Sequence, residues 1–172
     1  MKPIRIDELS VQLFLPFGFY ARLTEPGGEY LGAPPVTFFR DMLQMDLGAS
    51  TIPSFSICRV EKRPFEINMY EYHSKTGEGI LPLDNDVLIH VVPATRSADR
   101  VPVEKLRVFR VPVGTMIVLR PGVWHHAPFT LGDNAAHVLI VLPERTYAND
   151  CIIKRIDKGN EVTITLSKED KS

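Results

Sequence analysis

The chain has 172 residues, a formal net charge of -1 and two cysteines, Cys58 and Cys151. This length suits one domain, which buries roughly 70% of its unfolded surface and needs no staples. The small net charge argues against nucleic acid as a partner, and two distant cysteines indicate a reducing compartment rather than a disulfide framework. Residues 1–10 lack the apolar core of a signal peptide, and no run approaches the ~20 apolar residues of a membrane span. We therefore expect a cytosolic, soluble protein.

The N-terminal third is expected to hold one short helix, a loop and a strand. A helix is predicted over residues 7–14, where Leu9, Leu13 and Phe14 share one side before Pro16 and Gly18. The glycines and prolines of residues 24–35 indicate a loop. Apolar residues at alternate positions then predict a strand over residues 39–47, which Gly48 closes.

The next strand carries a candidate ligand for an anion. Phe55, Ile57 and Arg59 alternate with small polar residues, so the Arg59 side chain is placed on the face of Phe55 and Ile57, interpreted as the core face. Arginine is usually a surface residue. An inward arginine, however, is a candidate bidentate clamp for a carboxylate.

Pro64 opens the strand that is most informative about function. Alternation places Glu71 and His73 on one face, after Phe65, Ile67 and Met69. These polar residues are either the exposed end of a strand or part of a core face that turns polar at a pocket. Glu78 favours the pocket, because the short loop after His73 can return a carboxylate to the same place.

Further strands complete the chain. They are predicted at residues 80–83, 87–92, 106–111, 115–119, 136–142, 152–156 and 162–166. The first two are expected to form a hairpin around residues 84–86. His90 and His137 share faces with apolar residues and are interpreted as structural. The charged tail at 168–172 is expected to fray.

The stretch at residues 120–129 reads Arg-Pro-Gly-Val-Trp-His-His-Ala-Pro-Phe and follows the apolar run 116–119. A tryptophan beside His125 and His126 is costly to bury without partners. Each histidine alone is interpreted as a hydrogen-bonded core residue. A functional role is favoured over a structural one if the residues around His73 lie close to these two histidines in the fold.

Many short strands with little helix predict an all-β sandwich or closed barrel. In a jelly-roll barrel, His73, Glu78 and His125 come together at one mouth, with Glu71 or water in a fourth position. Two imidazoles and a carboxylate suit Ni, Mn, Zn or Fe. We therefore predict one divalent metal ion at His73, Glu78 and His125.

Two segments resemble the cupin motifs. His73, four residues and Glu78 resemble the second half of the first motif, with Glu71 where its first histidine stands. Gly114, followed by Pro121-Gly122 and His125, resembles the second motif, with compressed spacing and without its trailing asparagine. The resemblance implies a cupin double-stranded β-helix, here with a short N-terminal helix.

A closer resemblance is to the ureidoglycolate lyase family, cupin-fold enzymes of allantoin breakdown. The segment 123–129 resembles that family's Val-Trp-His-His stretch. Residues 14–18, 71–73, 81–82, 106–109 and 149–151 fall in similar order, so the resemblance runs over most of the chain. Three positions depart from it: the family more often has Gln at Glu78 and a His near Arg120, and the insertion around Pro34 is longer here.

The resemblance implies a homodimer that cleaves ureidoglycolate to glyoxylate and urea. We assign proton transfer to Glu71 or His126. Substrate contacts are assigned to Arg59, as the carboxylate clamp, and to Trp124 and Arg120. Two alternatives stay open: a metal-dependent cupin isomerase or dioxygenase acting on another small polar metabolite, and a non-catalytic cupin that binds a small ligand.

Overall fold

The structure is a computed structural model that describes residues 4–166. The tail for which fraying is expected therefore lies outside the described residues. The longer strands are β1 (Ile6–Glu8), β2 (Gly18–Arg22), β3 (Tyr30–Ala33), β4 (Val36–Phe39), β5 (Pro53–Val60), β7 (Met69–Tyr72), β8 (Glu78–Pro82), β9 (Val87–Val92), β10 (Arg107–Val111), β11 (Thr115–Leu119), β14 (Ala136–Pro143) and β15 (Ile152–Arg155). Two-residue strands are β6 (Glu66–Ile67), β12 (Trp124–His125), β13 (Phe129–Thr130) and β16 (Val162–Thr163). The α-helices of the described chain are α1 (Val11–Phe14) and α2 (Thr146–Asn149), with a 3-10 turn at Val103–Lys105.

Two main sheets face each other. The first has the order β1-β10-β9-β12-β7-β15, with β13 also paired to β9, and the second has the order β2-β11-β8-β14-β5. Several pairs of consecutive strands lie in different sheets, for example β8 and β9, and β10 and β11. Except for the parallel β1–β10 pair, the ladders of these two sheets are antiparallel. The predicted all-β double-stranded β-helix with a short N-terminal helix is confirmed.

The hydrophobic side chains form two buried clusters. The first lies between the sheets, since it combines Ile117 and Val138 of the five-stranded sheet with Ile89 and Phe109 of the other. The second covers the opposite face of the larger sheet and contains Trp124, with Tyr70, Tyr72, Leu88, Val92 and Val108. Strand β9 contributes to both clusters, which explains why all of its residues are buried. No described helix is long and apolar enough to cross a membrane.

Two predictions about elements are wrong, and the start of a third element is corrected. The predicted N-terminal helix is shorter, because residues 6–8 pair with β10 and Ser10 caps a helix that begins only at Val11. The predicted strand at 39–47 is replaced by the hairpin β3–β4, after which Asp41 and Gly48 adopt positive φ angles that interrupt an extended chain. The predicted hairpin around residues 84–86 is instead a crossover, since β8 and β9 lie in different sheets.

Candidate active site

Four of the predicted site residues meet at one place. Glu71 lies on β7, His73 follows the end of that strand, Glu78 begins β8, and His125 ends β12. The register brings them together, because His125 is paired directly with Glu71 across the β12–β7 ladder. One ligand atom from each of the four side chains lies within 4.8 Å of the others.

Both histidines point the same ring nitrogen at Glu78. His125 Nε2 lies 2.8 Å from Glu78 Oε2, and His73 Nε2 lies 3.2 Å from the same oxygen. The other ring nitrogens face backbone carbonyls: His73 Nδ1 is 2.6 Å from the Asp150 oxygen, and His125 Nδ1 is 3.0 Å from the Val123 oxygen. An Nδ1–H that donates to a carbonyl fixes the tautomer and leaves Nε2 as the available ligand atom.

The charges of the cluster are strongly coupled. Burial raises the pKa of Glu78, but the neighbouring His125 and His73 outweigh it and lower that pKa to about 2. Burial lowers the pKa of His125, but Glu78 and Glu71 outweigh it and raise it to about 9. For Glu71, burial and the nearby Glu78 raise the pKa above its usual range, against the opposing effect of the two histidines. Without a metal ion, the cluster therefore contains a buried ion pair between His125 and Glu78.

The donor set fits a divalent metal ion. His73 Nε2 is buried and makes no hydrogen bond, even though Glu78 lies within ion-pairing distance. A buried nitrogen without a hydrogen bond is costly, and a metal ion would satisfy it. Two imidazoles and carboxylate oxygens are ligands that first-row divalent metals accept. The cluster can hold a metal, as predicted, while the identity of that metal stays open.

A pocket opens from this cluster. Its lining joins Glu71 and Glu78 to His126 and Tyr147, with Cys58, Ile80, Ala127, Pro128 and Ile140 as the remaining wall. The Tyr147 ring stands edge-on to the His73 ring, with 6.4 Å between centroids. Burial and the charges of Glu78 and Glu71 raise the pKa of the Tyr147 hydroxyl, which therefore stays neutral. The pocket thus presents carboxylate, imidazole and phenol groups to a small polar molecule.

His126 lines the same pocket. Burial and the nearby positive charge of Arg63 lower its pKa to about 4, so the imidazole is neutral near pH 7. Arg63 itself donates to the carbonyl oxygens of Ala127 and Pro128 at 2.8 and 3.1 Å, and its guanidinium lies 4.0 Å from the Phe129 ring centre. Arg63 therefore holds the loop that follows His126.

The inward placement predicted for Arg59 is wrong. Its side chain is exposed and pairs with Glu61, while Cys58 and Val60 on the other face of β5 turn toward the interior. The cause is that Phe55 and Ile57, interpreted as core residues, are exposed at 68% and 55%. Cys58 and Val60, at the alternate positions of this strand, face inward instead.

Trp124 and Arg120 also lie away from the pocket, which corrects their placement at the substrate. Trp124 is fully buried in the second cluster, where its ring packs on Tyr72 and its indole N–H donates to Thr95 Oγ1 at 2.9 Å. The Arg120 guanidinium lies over the Phe19 ring and donates to the Leu15 carbonyl. Both residues stabilise the stretch that carries His125.

Sequence reasoning missed the roles of Cys58, Tyr147 and Asp150. Asp150 accepts hydrogen bonds from the Ser74 amide and hydroxyl and from the Lys75 amide at 2.7–2.9 Å. Its backbone oxygen faces His73. Only the family resemblance singled out residues 149–151. Helix α2, which carries Tyr147, has too few residues to show helical periodicity in the sequence.

Comparison with known proteins identifies relatives over most of the chain. Residues 1–163 match the model of the ureidoglycolate lyase family. A ureidoglycolate lyase of Burkholderia mallei is 25% identical over 81% of this chain and 82% of its own. One from Rhodobacter capsulatus is 23% identical over 81% and 86%.

Solved structures also resemble part of the fold. A dTDP sugar isomerase from Desulfovibrio desulfuricans covers 77% of this chain and 82% of its own, with a TM-score of 0.44 and 16% identity. An oxalate decarboxylase from Lactobacillus farciminis covers 70% of this chain and 36% of its own, with a TM-score of 0.42 and 19% identity. The match to the family model rests on the sequence and does not depend on these structural similarities.

Proposed function

We propose that this chain, which belongs to the ureidoglycolate lyase family, cleaves the carbon–nitrogen bond of ureidoglycolate to give glyoxylate and urea, as a step of allantoin breakdown in the cytosol. One observation carries the proposal: the buried cluster of Glu71, His73, Glu78 and His125 adjoins one small pocket that His126 and Tyr147 also line. The thiols of Cys58 and Cys151 are free, which suits a reducing compartment.

The reaction requires the transfer of one proton from the hydroxyl to the departing nitrogen. Ureidoglycolate carries a carboxylate, a hydroxyl and a urea nitrogen on one carbon. The hydroxyl proton leaves, the oxygen forms the carbonyl of glyoxylate, and the electron pair of the breaking bond goes to the nitrogen. That nitrogen takes up a proton and departs as urea. No water is consumed, so the site has to relay a proton rather than activate a nucleophile.

His73, Glu78 and His125 are the residues that would hold a divalent metal ion. Bound there, the ion supplies Lewis-acid polarisation of substrate oxygens. The backbone carbonyls behind both imidazoles fix the rings, so the ligand atoms are oriented before binding.

Glu71 is the better placed of the two candidates for proton transfer. Its Oε1 lies 3.7 Å from His125 Nε2, whereas Glu78 Oε2 lies 2.8 Å from the same nitrogen. Glu71 also forms part of the pocket wall. Burial raises its pKa above the usual range of a glutamate, the direction that suits a carboxyl group that exchanges a proton. One carboxylate in this position takes the hydroxyl proton and returns it to the leaving nitrogen.

His126 suits a second role in the same pocket. A pKa of about 4 keeps the imidazole neutral, so it offers one N–H donor and one acceptor without carrying charge. Those groups match the carbonyl and N–H groups of a urea. We assign His126 to orienting the ureido group, which keeps the departing nitrogen within reach of Glu71.

The test is product analysis on purified protein of measured metal content. Incubation with ureidoglycolate should release urea and glyoxylate in equal amounts, without ammonia. Ammonia as the nitrogen product would identify hydrolysis instead. Absence of any product, with metal bound, would favour the alternative of a cupin isomerase or dioxygenase. Absence of both metal and product would favour a ligand-binding protein.

A further inference from the structure

A second, larger cavity meets the active-site pocket. This outer cavity has a volume of about 490 Å³ and is lined by residues 58–63, at the end of β5, and by residues 126–128, directly after β12. Cys58, His126, Ala127 and Pro128 line both the outer cavity and the inner pocket at Glu71. The two spaces therefore meet at these four residues.

The inner pocket is too small for the whole substrate. Its volume of about 50 Å³ holds roughly three to five water molecules. Ureidoglycolate is larger than that, so part of the molecule extends into the outer cavity when its reacting carbon lies beside Glu71. Charge favours the carboxylate as that part, because the carboxylates of Glu71 and Glu78 lie at the inner end and repel an anion. A divalent ion bound there would balance these two charges without leaving an excess.

The outer cavity is lined by three cationic side chains, of which one lacks a counter-ion. Arg59 pairs with Glu61, and Lys62 pairs with Asp133, all on the exposed rim. Arg63 is half-buried, and no carboxylate oxygen of residues 4–166 lies within 4.0 Å of its nitrogens. Arg63 is therefore the cation of this cavity whose charge is available to a ligand.

The surroundings of Arg63 hold its guanidinium in one orientation. Nη2 donates to the carbonyl oxygens of Ala127 and Pro128, and the planar group lies 4.0 Å from the centre of the Phe129 ring. Among the described residues, neither Nε nor Nη1 makes a hydrogen bond. These N–H groups can donate charge-assisted hydrogen bonds to a carboxylate, and little side-chain freedom is lost because the group is already ordered.

We propose that Arg63 binds the substrate carboxylate in the outer cavity, while the hydroxyl and the ureido group reach the inner pocket. This role rests on the proposed function, and it supplies the anion contact that Arg59 does not make. His126 lines both spaces, so a ligand held by Arg63 lies beside this imidazole. The class of ligand selected in this way is the small 2-hydroxy acid, in preference to its neutral amide.

The experiment compares the binding of glycolate, a 2-hydroxy acid, with that of its neutral amide, glycolamide, by titration calorimetry on protein of measured metal content. The parent chain should bind glycolate at least about tenfold more tightly. Arg63→Gln should weaken glycolate binding by about 10–100-fold and leave glycolamide binding unchanged, because only the carboxylate loses a charged partner. The glutamine amide can still donate to the carbonyls of residues 127 and 128.

Arg59→Gln is the matched control. Arg59 is the same residue type and lines the same cavity, but it is exposed and paired with Glu61. Its substitution should change glycolate affinity by less than about threefold. A parent chain that binds glycolate no better than glycolamide would overturn the proposal. So would a folded Arg63→Gln variant with the glycolate affinity of the control, which would place the carboxylate at the inner end.

If Arg63→Gln does not fold, Arg63→Lys is compared with Arg59→Lys. Lysine keeps the charge but not the planar group, so glycolate affinity should fall by about threefold or more for Arg63→Lys alone. Equal affinities of the two lysine variants would overturn the proposal.

Steady-state kinetics with ureidoglycolate separate this binding site from the reaction itself. Arg63→Gln should raise KM by about tenfold or more and change kcat by less than about threefold, since the carboxylate is bound equally in the ground and transition states. A fall in kcat alone would reduce Arg63 to holding the loop after His126 and would overturn the proposal. Selective glycolate binding that depends on Arg63, without turnover of ureidoglycolate, would support this anion site and contradict the proposed function instead.

Discussion

Glu71 and Glu78 are the same residue type in one pocket, yet their surroundings differ. Glu78 is almost fully buried and lies within 3.2 Å of both imidazoles, whereas Glu71 lines the pocket and lies 3.7 Å from His125 Nε2. Burial and charge push their pKa values in opposite directions. Carboxylates separated in this way typically take different tasks, one as a fixed anion and the other as the group that exchanges a proton.

Substitution by glutamine should separate these tasks. Glu71→Gln is expected to retain metal and lose about 10²–10⁴-fold in kcat, because the amide cannot relay a proton. Glu78→Gln is expected to lose metal occupancy first, since the amide removes the charge between the two imidazoles. Metal analysis and steady-state kinetics on both variants make the comparison. If Glu71→Gln also loses its metal, Glu71 is a ligand and the proton relay belongs elsewhere.

At the residue scale, the sequence predicted the cluster better than the walls of the pocket. His73, Glu78 and His125 stand beside turns at strand ends, where polar side chains in an apolar context are informative. Arg59 was misplaced because both faces of β5 look half apolar, and alternation alone does not say which face is covered. Whether a large aromatic side chain such as Trp124 meets substrate or core depends on tertiary packing.

At the scale of elements, Asp150 ties helix α2 to the loop that carries the metal ligands. Its carboxylate accepts three hydrogen bonds from Ser74 and Lys75, and these bonds outweigh burial and lower its pKa. Its backbone oxygen holds the His73 ring. The segment from His73 to Glu78 therefore depends on a residue from the far end of the chain.

Asp150→Asn should loosen this loop without unfolding the protein. The amide NH₂ faces the donating Lys75 amide, so one hydrogen bond is lost and a donor is left unpaired. We expect metal affinity to fall by about 10–100-fold, as for other groups that orient ligands. Asp84→Asn is the matched control, because Asp84 similarly accepts the His137 amide away from the site. Equal effects of the two changes on metal titrations would contradict this positioning role.

The strands themselves were largely predictable, but their arrangement was not. The segments predicted as strands at 87–92, 106–111, 115–119 and 136–142 have strand periodicity or strand length, and each is a strand with bounds within one residue of the prediction. Sequence spacing alone does not distinguish a tight hairpin from a crossover between sheets, which is why the hairpin predicted around residues 84–86 is wrong. The hairpin β3–β4 escaped prediction because its glycines and prolines resemble those of a loop.

At the scale of the whole molecule, two cores share β9, and His90 lies in this shared strand. Its ring packs near Tyr70 and Phe129, its Nε2–H donates to the Met69 carbonyl at 3.1 Å, and its Nδ1 is buried without a hydrogen bond. Burial lowers the pKa of His90 to about 3, against the smaller opposing effect of the Met69 hydrogen bond. The folded protein therefore keeps this imidazole neutral across most of the acid range.

This buried imidazole should make stability fall with acidity. The unfolded chain takes up a proton at His90 near pH 6.5, whereas the folded chain does so only near pH 3. Between these values the unfolded state binds more protons, so the free energy of unfolding from this residue decreases by up to roughly 1.4 kcal/mol for each pH unit lost. His90→Gln retains an N–H for Met69 but does not titrate. The unfolding free energies of the parent and this variant are measured with urea at about pH 7, 6 and 5. As the pH falls, the parent should lose stability relative to the variant. His90→Phe, despite its different packing, should show the same weaker dependence of unfolding free energy on pH as His90→Gln. Parallel pH profiles for all three proteins would disprove the role of His90.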